Sequence, residues 1–93
     1  MEKKIQPFLD EEGRVKRLPG KNQVRVAVYR YLGEKFEEGR NYTEKEVNGI
    51  LTEWNTIGDY FILRRGLVDH GVLGRTADGA DYWRIAVEKK PEY

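Results

Sequence analysis

The 93-residue sequence contains no cysteine and no serine, and only one histidine, one methionine and three prolines. Without cysteine there is no disulfide and no thiolate metal site, which fits a reducing cytoplasm. His70 is alone, so no histidine pair can bind a transition metal, and neither a metal nor a cofactor is expected. The absence of serine and cysteine removes the commonest nucleophiles. No glycine-rich phosphate loop is present, and no catalytic residues are assigned. Apolar runs are short: none approaches the roughly 20 residues of a transmembrane helix, and Met1–Pro7 lacks the apolar stretch of a signal peptide, so no membrane association is expected. One-sided charge is missing as well. Seventeen basic against sixteen acidic residues leave +1, and the whole-chain charge exerts no pull on a polyanion.

What remains is 39% hydrophobic, 12% aromatic and 35% charged residues, enough for one modest core under a charged shell. The chain reads as a single domain over 1–93. An extended arm or hairpin covers 1–20, a three-helix unit 21–70, a hairpin 71–87 and a tail 88–93. Charge is unevenly spread along it. Arg14, Lys16, Arg17, Lys21, Arg25 and Arg30 follow one another with no acid between them, whereas residues 34–53 are rich in glutamate.

From Lys21 to about Phe36, Val24, Ala27, Val28, Tyr31 and Leu32 recur at helical spacing. Thr43 and Glu46 form a capping-box pattern at the head of a second helix, whose stripe is Val47, Ile50, Leu51 and Trp54. Asn55–Thr56 offers a short break, with Thr56 as N-cap of a third helix over about 57–70 and Gly71 as its C′ residue. On that helix Ile57, Tyr60, Phe61, Arg64, Leu67 and Val68 share one stripe, while Gly58, Asp59, Ile62, Arg65, Gly66 and Asp69 face the other way. Beyond Gly71 the period changes to two. Asp78-Gly79 between β-prone runs is a hairpin signal, and a two-residue turn would set Gly74 opposite Trp83, Val72 opposite Ile85 and Arg75 opposite Tyr82.

Helix, capped helix, short break, helix, hairpin is the element order of an α+β winged helix-turn-helix. The strings Phe8–Pro19, Tyr42–Asn48, Leu63–Asp69 and Asp81–Arg84 resemble the bacterial domain-of-unknown-function family numbered 2087. That resemblance implies a transcriptional regulator, since members occur alone or fused behind an ArsR-like helix-turn-helix. The sequence departs from the family in carrying Gly66 where members often have an acid, and Phe61-Ile62 where smaller residues are usual.

The residues point first to DNA binding, with an accessory role as the alternative. In the first, the domain binds double-stranded DNA mainly through phosphates, using Arg14, Lys16, Arg17, Lys21 and Arg25 from the arm and first helix, Asn55 and Arg65 at the helix-turn-helix, and Arg75 and Arg84 of the wing. Such a protein would act as a homodimer if it read operators unaided. In the second, the domain is a protein-interaction or effector-sensing accessory of a regulator that does not touch DNA itself. The exposed side of helix three favours the latter, because only Arg65 could read bases there and two aspartates would repel phosphates. Arg64, placed among apolar neighbours, is expected to pair with a carboxylate, Asp10 or Glu11.

Overall fold

The computed structural model describes residues 3–86; the last wing position, Val87, and the tail 88–93 lie outside the described residues. The first helix, α1, covers Asn22–Gly33, three residues short of the expected end. The chain tightens there, with the amides of Lys35 and Phe36 donating to the carbonyls of Leu32 and Gly33 at 3.0 and 3.1 Å. This turn swings Phe36 into the interior instead of leaving it on the helix.

Strand β1, Asn41–Tyr42, leads into α2, Glu44–Glu53. The capping box forms as the sequence predicts. The Glu46 amide donates to Thr43 Oγ1 at 3.1 Å and the Thr43 amide to Glu46 Oε1 at 2.9 Å, satisfying two donors that a helix start leaves open.

Helix α3, Tyr60–Asp69, begins later than the sequence pattern indicates. Its N-cap is Asp59, whose Oδ1 accepts the amides of Phe61 and Ile62 at 3.1 and 3.3 Å, so Thr56 does not cap it. The reason lies at Gly58, whose φ of 92° is incompatible with a helix and holds residues 54–59 as a connection. At the other end the amide of Gly71 donates to the carbonyl of Val68 at 3.1 Å and that of Val72 to Leu67 at 2.9 Å. This pair of bonds is a Schellman closure with Gly71 at C′, as expected.

Strands β2, Leu73–Arg75, and β3, Tyr82–Arg84, pair antiparallel with Gly74 opposite Trp83 and Arg75 opposite Tyr82. The register matches the two-residue reading, but the loop is longer. Thr76 N–H donates to the Asp81 carbonyl at 3.0 Å and Gly79 N–H to the Thr76 carbonyl at 3.0 Å, so Ala77–Ala80 form the turn. Adding one residue to each side of a turn leaves the pairing unchanged. The sheet order is β1-β3-β2, and β1 is a strand that the sequence did not announce, because two residues are too few to show alternation. Three helices and this small antiparallel sheet make an α+β fold of winged-helix-like arrangement.

The largest departure is at the N-terminus. Residues 3–20 are no exposed arm: a 3-10 segment, Lys3–Phe8, and the bridge of Leu9 with Val15 lie on the helices. Ile5 and Val15 are fully buried. They join a single core cluster with Val28 and Leu32 of α1, Val47 and Leu51 of α2, Leu63 and Leu67 of α3, and Leu73 and Tyr82 of the sheet.

Candidate functional site

The site-forming side of the molecule is set by how α3 is rotated. Its buried residues are Leu63, Gly66 and Leu67, a stripe turned away from the one centred on Arg64. Gly66, placed outward by the sequence pattern, faces inward, where an added Cβ would lie 2.2 Å from the Tyr29 hydroxyl. Only the absence of a side chain lets α3 approach α1 there. Burial pushes the Tyr29 hydroxyl above its usual value; the charge of Arg25 opposes this and that of Asp69 adds to it. The rotation turns Tyr60, Phe61 and Ile62 outward: Phe61 is 52% exposed and Ile62 50%. Ile57, in the connection, is exposed beside them. Four large apolar residues therefore stand exposed at the start of α3, the Arg64 guanidinium lying 5.3 Å over the ring of Phe61.

Arg64 is mostly buried, its side chain 13% exposed, but its partner is not Asp10. Nη1 donates to Asn48 Oδ1 at 2.5 Å and lies 3.2 Å from Glu44 Oε2. Asp10 instead binds Arg14, Oδ2 to Nε at 2.9 Å, and accepts the amides of Glu12 and Arg14 on Oδ1 at 2.9 and 2.8 Å. Partial burial raises the Asp10 pKa, and these donors overcome it, so the carboxyl sits below its usual range. Arg64 lies on the flank of α3 that meets α2, and the first turn of α2 supplies the acid. Glu44 and Asn48 are spaced i, i+4 on α2. That spacing is the sequence sign of the pair.

The basic run does not assemble into a strip. Arg14 is taken by Asp10 and by Glu12 at 3.3 Å. Arg17 sits over the Phe8 ring at 4.5 Å, and Arg25 Nε donates to the Pro19 carbonyl at 3.0 Å. Lys16 and Lys21 are exposed. In the wing, Arg84 donates from Nη1 to the Phe36 carbonyl at 3.2 Å and lies 3.8 Å from Glu38. Arg75 caps the hairpin loop through the carbonyls of Thr76 and Ala77 at 3.2 and 3.4 Å. Arg65 stands outward with its Nε 4.0 Å from Asp69 Oδ2.

Asn55, read as a base contact, is interior. It is 8% exposed, its Nδ2 donates to the Leu51 carbonyl at 2.5 Å and its Oδ1 accepts the Gly58 amide at 2.8 Å. Both ends of the amide are used in shaping the α2–α3 connection. Asn55→Ala is expected to cost about 1–3 kcal/mol by orphaning these groups, read as a fall in melting temperature; an unchanged melting curve would contradict the structural role.

One cleft of about 500 Å³ lies between α3, the start of α2 and the hairpin, lined among others by Phe61, Arg64, Arg65, Arg75 and Tyr82. It gathers two of the predicted DNA-contacting cations, Arg65 and Arg75, beside Arg64, but Glu44, Asp69 and Asp78 line it too. Hydrogen bonds from the Thr76 hydroxyl and the Ala80 amide hold the Asp78 carboxyl below its usual value. Arg14, Lys16, Arg17, Lys21, Arg25 and Arg84 are not part of it. Among the described residues no three of His, Asp and Glu converge as metal ligands, and no helix is long and apolar enough to cross a membrane.

A family model described as "Uncharacterized protein conserved in bacteria (DUF2087)" matches residues 14–84. The chain belongs to the DUF2087 family. The matched span takes in Val15, all three helices and the whole sheet, so the exposed start of α3 and all of the core cluster except Ile5 fall within the DUF2087 domain. Comparison with curated proteins and with solved structures returns no match.

Proposed function

We propose that this domain is a protein-interaction module of a bacterial regulator, docking through the outer face of α3 without gripping DNA itself. The observation that carries the reading is the adjacent half-exposed pair Phe61-Ile62 on the helix that a winged-helix protein would insert into a groove. Base-edge readout needs amide or guanidinium donors there, and an apolar surface answers another protein's apolar surface instead. The electrostatics support the same reading. The cleft beside α3 balances its three arginines with three carboxylates, and Arg14, Arg17 and Arg25 have internal partners.

Fluorescence anisotropy on duplex DNA separates the two functions. The docking reading expects no binding at 50 mM salt. The DNA reading, resting on exposed Lys16, Lys21, Arg65 and Arg75, expects about four phosphate contacts and hence a log–log salt slope near −3.6; that slope, lost in Lys16→Ala/Lys21→Ala, would overturn docking. Because Ile62 contributes little to the interior, Ile62→Glu is expected to change stability by less than about 0.5 kcal/mol while putting a charge at the centre of the docking face.

A further inference from the structure

We infer that the occupant of the α3 face is a second copy of this chain, paired antiparallel about a two-fold axis at Ile62; the inference rests on the docking reading above. The argument starts from the charges flanking the apolar centre. Asp59 and Arg65 stand three residues before and after Ile62, about 4.5 Å along the axis in each direction at 1.5 Å per residue. At 100° per residue the two lie about 60° to either side of Ile62 around the helix, flanking it on one face. A two-fold axis through Ile62 then brings Asp59 of each copy to the axial level of Arg65 of the other, within an arginine's reach diagonally across the contact, twice. Ile62 meets Ile62, and Phe61 covers one flank of the contact. This is the self-complementary pattern that an isologous interface requires: one surface, used by both subunits, with acid and base equidistant from the axis.

The local chemistry leaves both ions available. Only Oδ1 of Asp59 serves as helix cap, and Oδ2 has no hydrogen bond among the described residues. Arg65 is 68% exposed, and its contact with Asp69, at 4.0 Å, is the longest of the ion pairs. It can exchange that partner for a better one at little cost. Arg64, held by Asn48 and Glu44, is not free to compete for Asp59. A heterologous partner would need no such symmetry of charge about an apolar centre. A single helix pair covers less than the roughly 1,200–2,000 Å² of a standard interface, so the dimer is expected to be weak, with a dissociation constant on the order of 10–100 µM.

The test is sedimentation velocity between about 10 µM and 1 mM on five samples: wild type, Ile62→Glu, Asp59→Arg, Arg65→Asp, and an equimolar mixture of the last two variants. The wild type is expected to dimerise. Asp59→Arg alone sets arginine against arginine and Arg65→Asp alone sets aspartate against aspartate, so each is expected to stay monomeric. The mixture restores an acid–base pair at both positions and is expected to recover a dimer of one chain of each kind. Asp59→Arg also removes the helix cap, so circular dichroism accompanies it; if that variant does not fold, the association of Arg65→Asp, with Asp59→Asn as the cap-retaining partial variant, decides the matter. A wild type that is monomeric at 1 mM overturns the second-copy inference and leaves docking standing, because the anisotropy experiment judges docking separately. A dimer that survives every substitution, Ile62→Glu included, places the contact elsewhere and also overturns it.

Discussion

Phe36→Ala is expected to cost about 3–5 kcal/mol, a fall in melting temperature on the order of 15–30 °C for a domain of this size. Phe36 is 1% exposed and ties together parts that no helix connects. Its ring meets that of Tyr42 edge-on, centroids 5.2 Å apart at 83°, an arrangement worth about 0.5–1.5 kcal/mol beyond burial. The Tyr42 hydroxyl accepts the Glu37 amide at 2.7 Å, and the Phe36 carbonyl accepts from Arg84 of β3. Removing the ring therefore leaves a cavity where the end of α1 joins β1 and β3, and backbone bonds restrain the surroundings from collapsing into it. Thermal unfolding followed by circular dichroism reads the effect. A loss below about 1 kcal/mol would mean that the sheet is held by its ladder alone, which three short strands do not support.

The elements with strong local signals were legible. The Thr43–Glu46 capping box, the Gly71 helix stop and the Gly74–Trp83 register are each carried by residues within a few positions of one another, and local chemistry decides them. The start of α3 was not legible, because Thr56 and Asp59 are both capping residues in isolation. The choice falls to Gly58 and to the Asn55 side chain that holds its amide. The rotation of α3 failed for a related reason. Its apolar residues lie all around the helix, and no period distinguishes Leu63 and Leu67 from Phe61 and Ile62 until α1 and α2 are in place. The choice follows from packing: Gly66 is the position at which Tyr29 allows close approach.

The charged residues show the same limit in another form. A run of cations with no intervening acid reads as a free basic face only if the acids elsewhere stay elsewhere. In the fold, the turn at Gly13 returns Arg14 to Asp10, and the approach of α2 brings Glu44 to Arg64. The near-balance of charge over the whole chain, +1, was thus a better guide to the cleft than its segmental charge. The apolar surface at Phe61-Ile62 was legible in part: Ile62 was placed outward from the sequence, and Phe61 was assigned to the core.

Deleting residues 1–20 is expected to abolish cooperative folding of the remaining chain. The segment looks dispensable in sequence, being short, rich in charge and punctuated by proline and glycine, yet it supplies Ile5 and Val15, both fully buried, and the buried Pro19. Loss of an isoleucine from a core costs about 2–5 kcal/mol with its cavity, and burial of valine contributes about 1.5–3 kcal/mol. Together these approach the 5–15 kcal/mol that holds a typical domain. The backbone loss adds to them. Val15 N–H donates to the Trp54 carbonyl at 2.9 Å and its carbonyl accepts the Thr56 amide at 2.8 Å, so the segment grips the α2–α3 connection on both sides. Without it, Trp54 and Thr56 lose their partners beside the buried Asn55, and the face that α3 presents loses the support that sets its rotation. The expected result for residues 21–93 is a broad, non-cooperative thermal transition with weak near-ultraviolet dichroism. The milder Val15→Ala should keep a single transition at lower temperature, which separates a missing core from a missing chain terminus. A truncated domain that melts as sharply as the full chain, within a few degrees of it, would show that the segment only leans on a core complete without it.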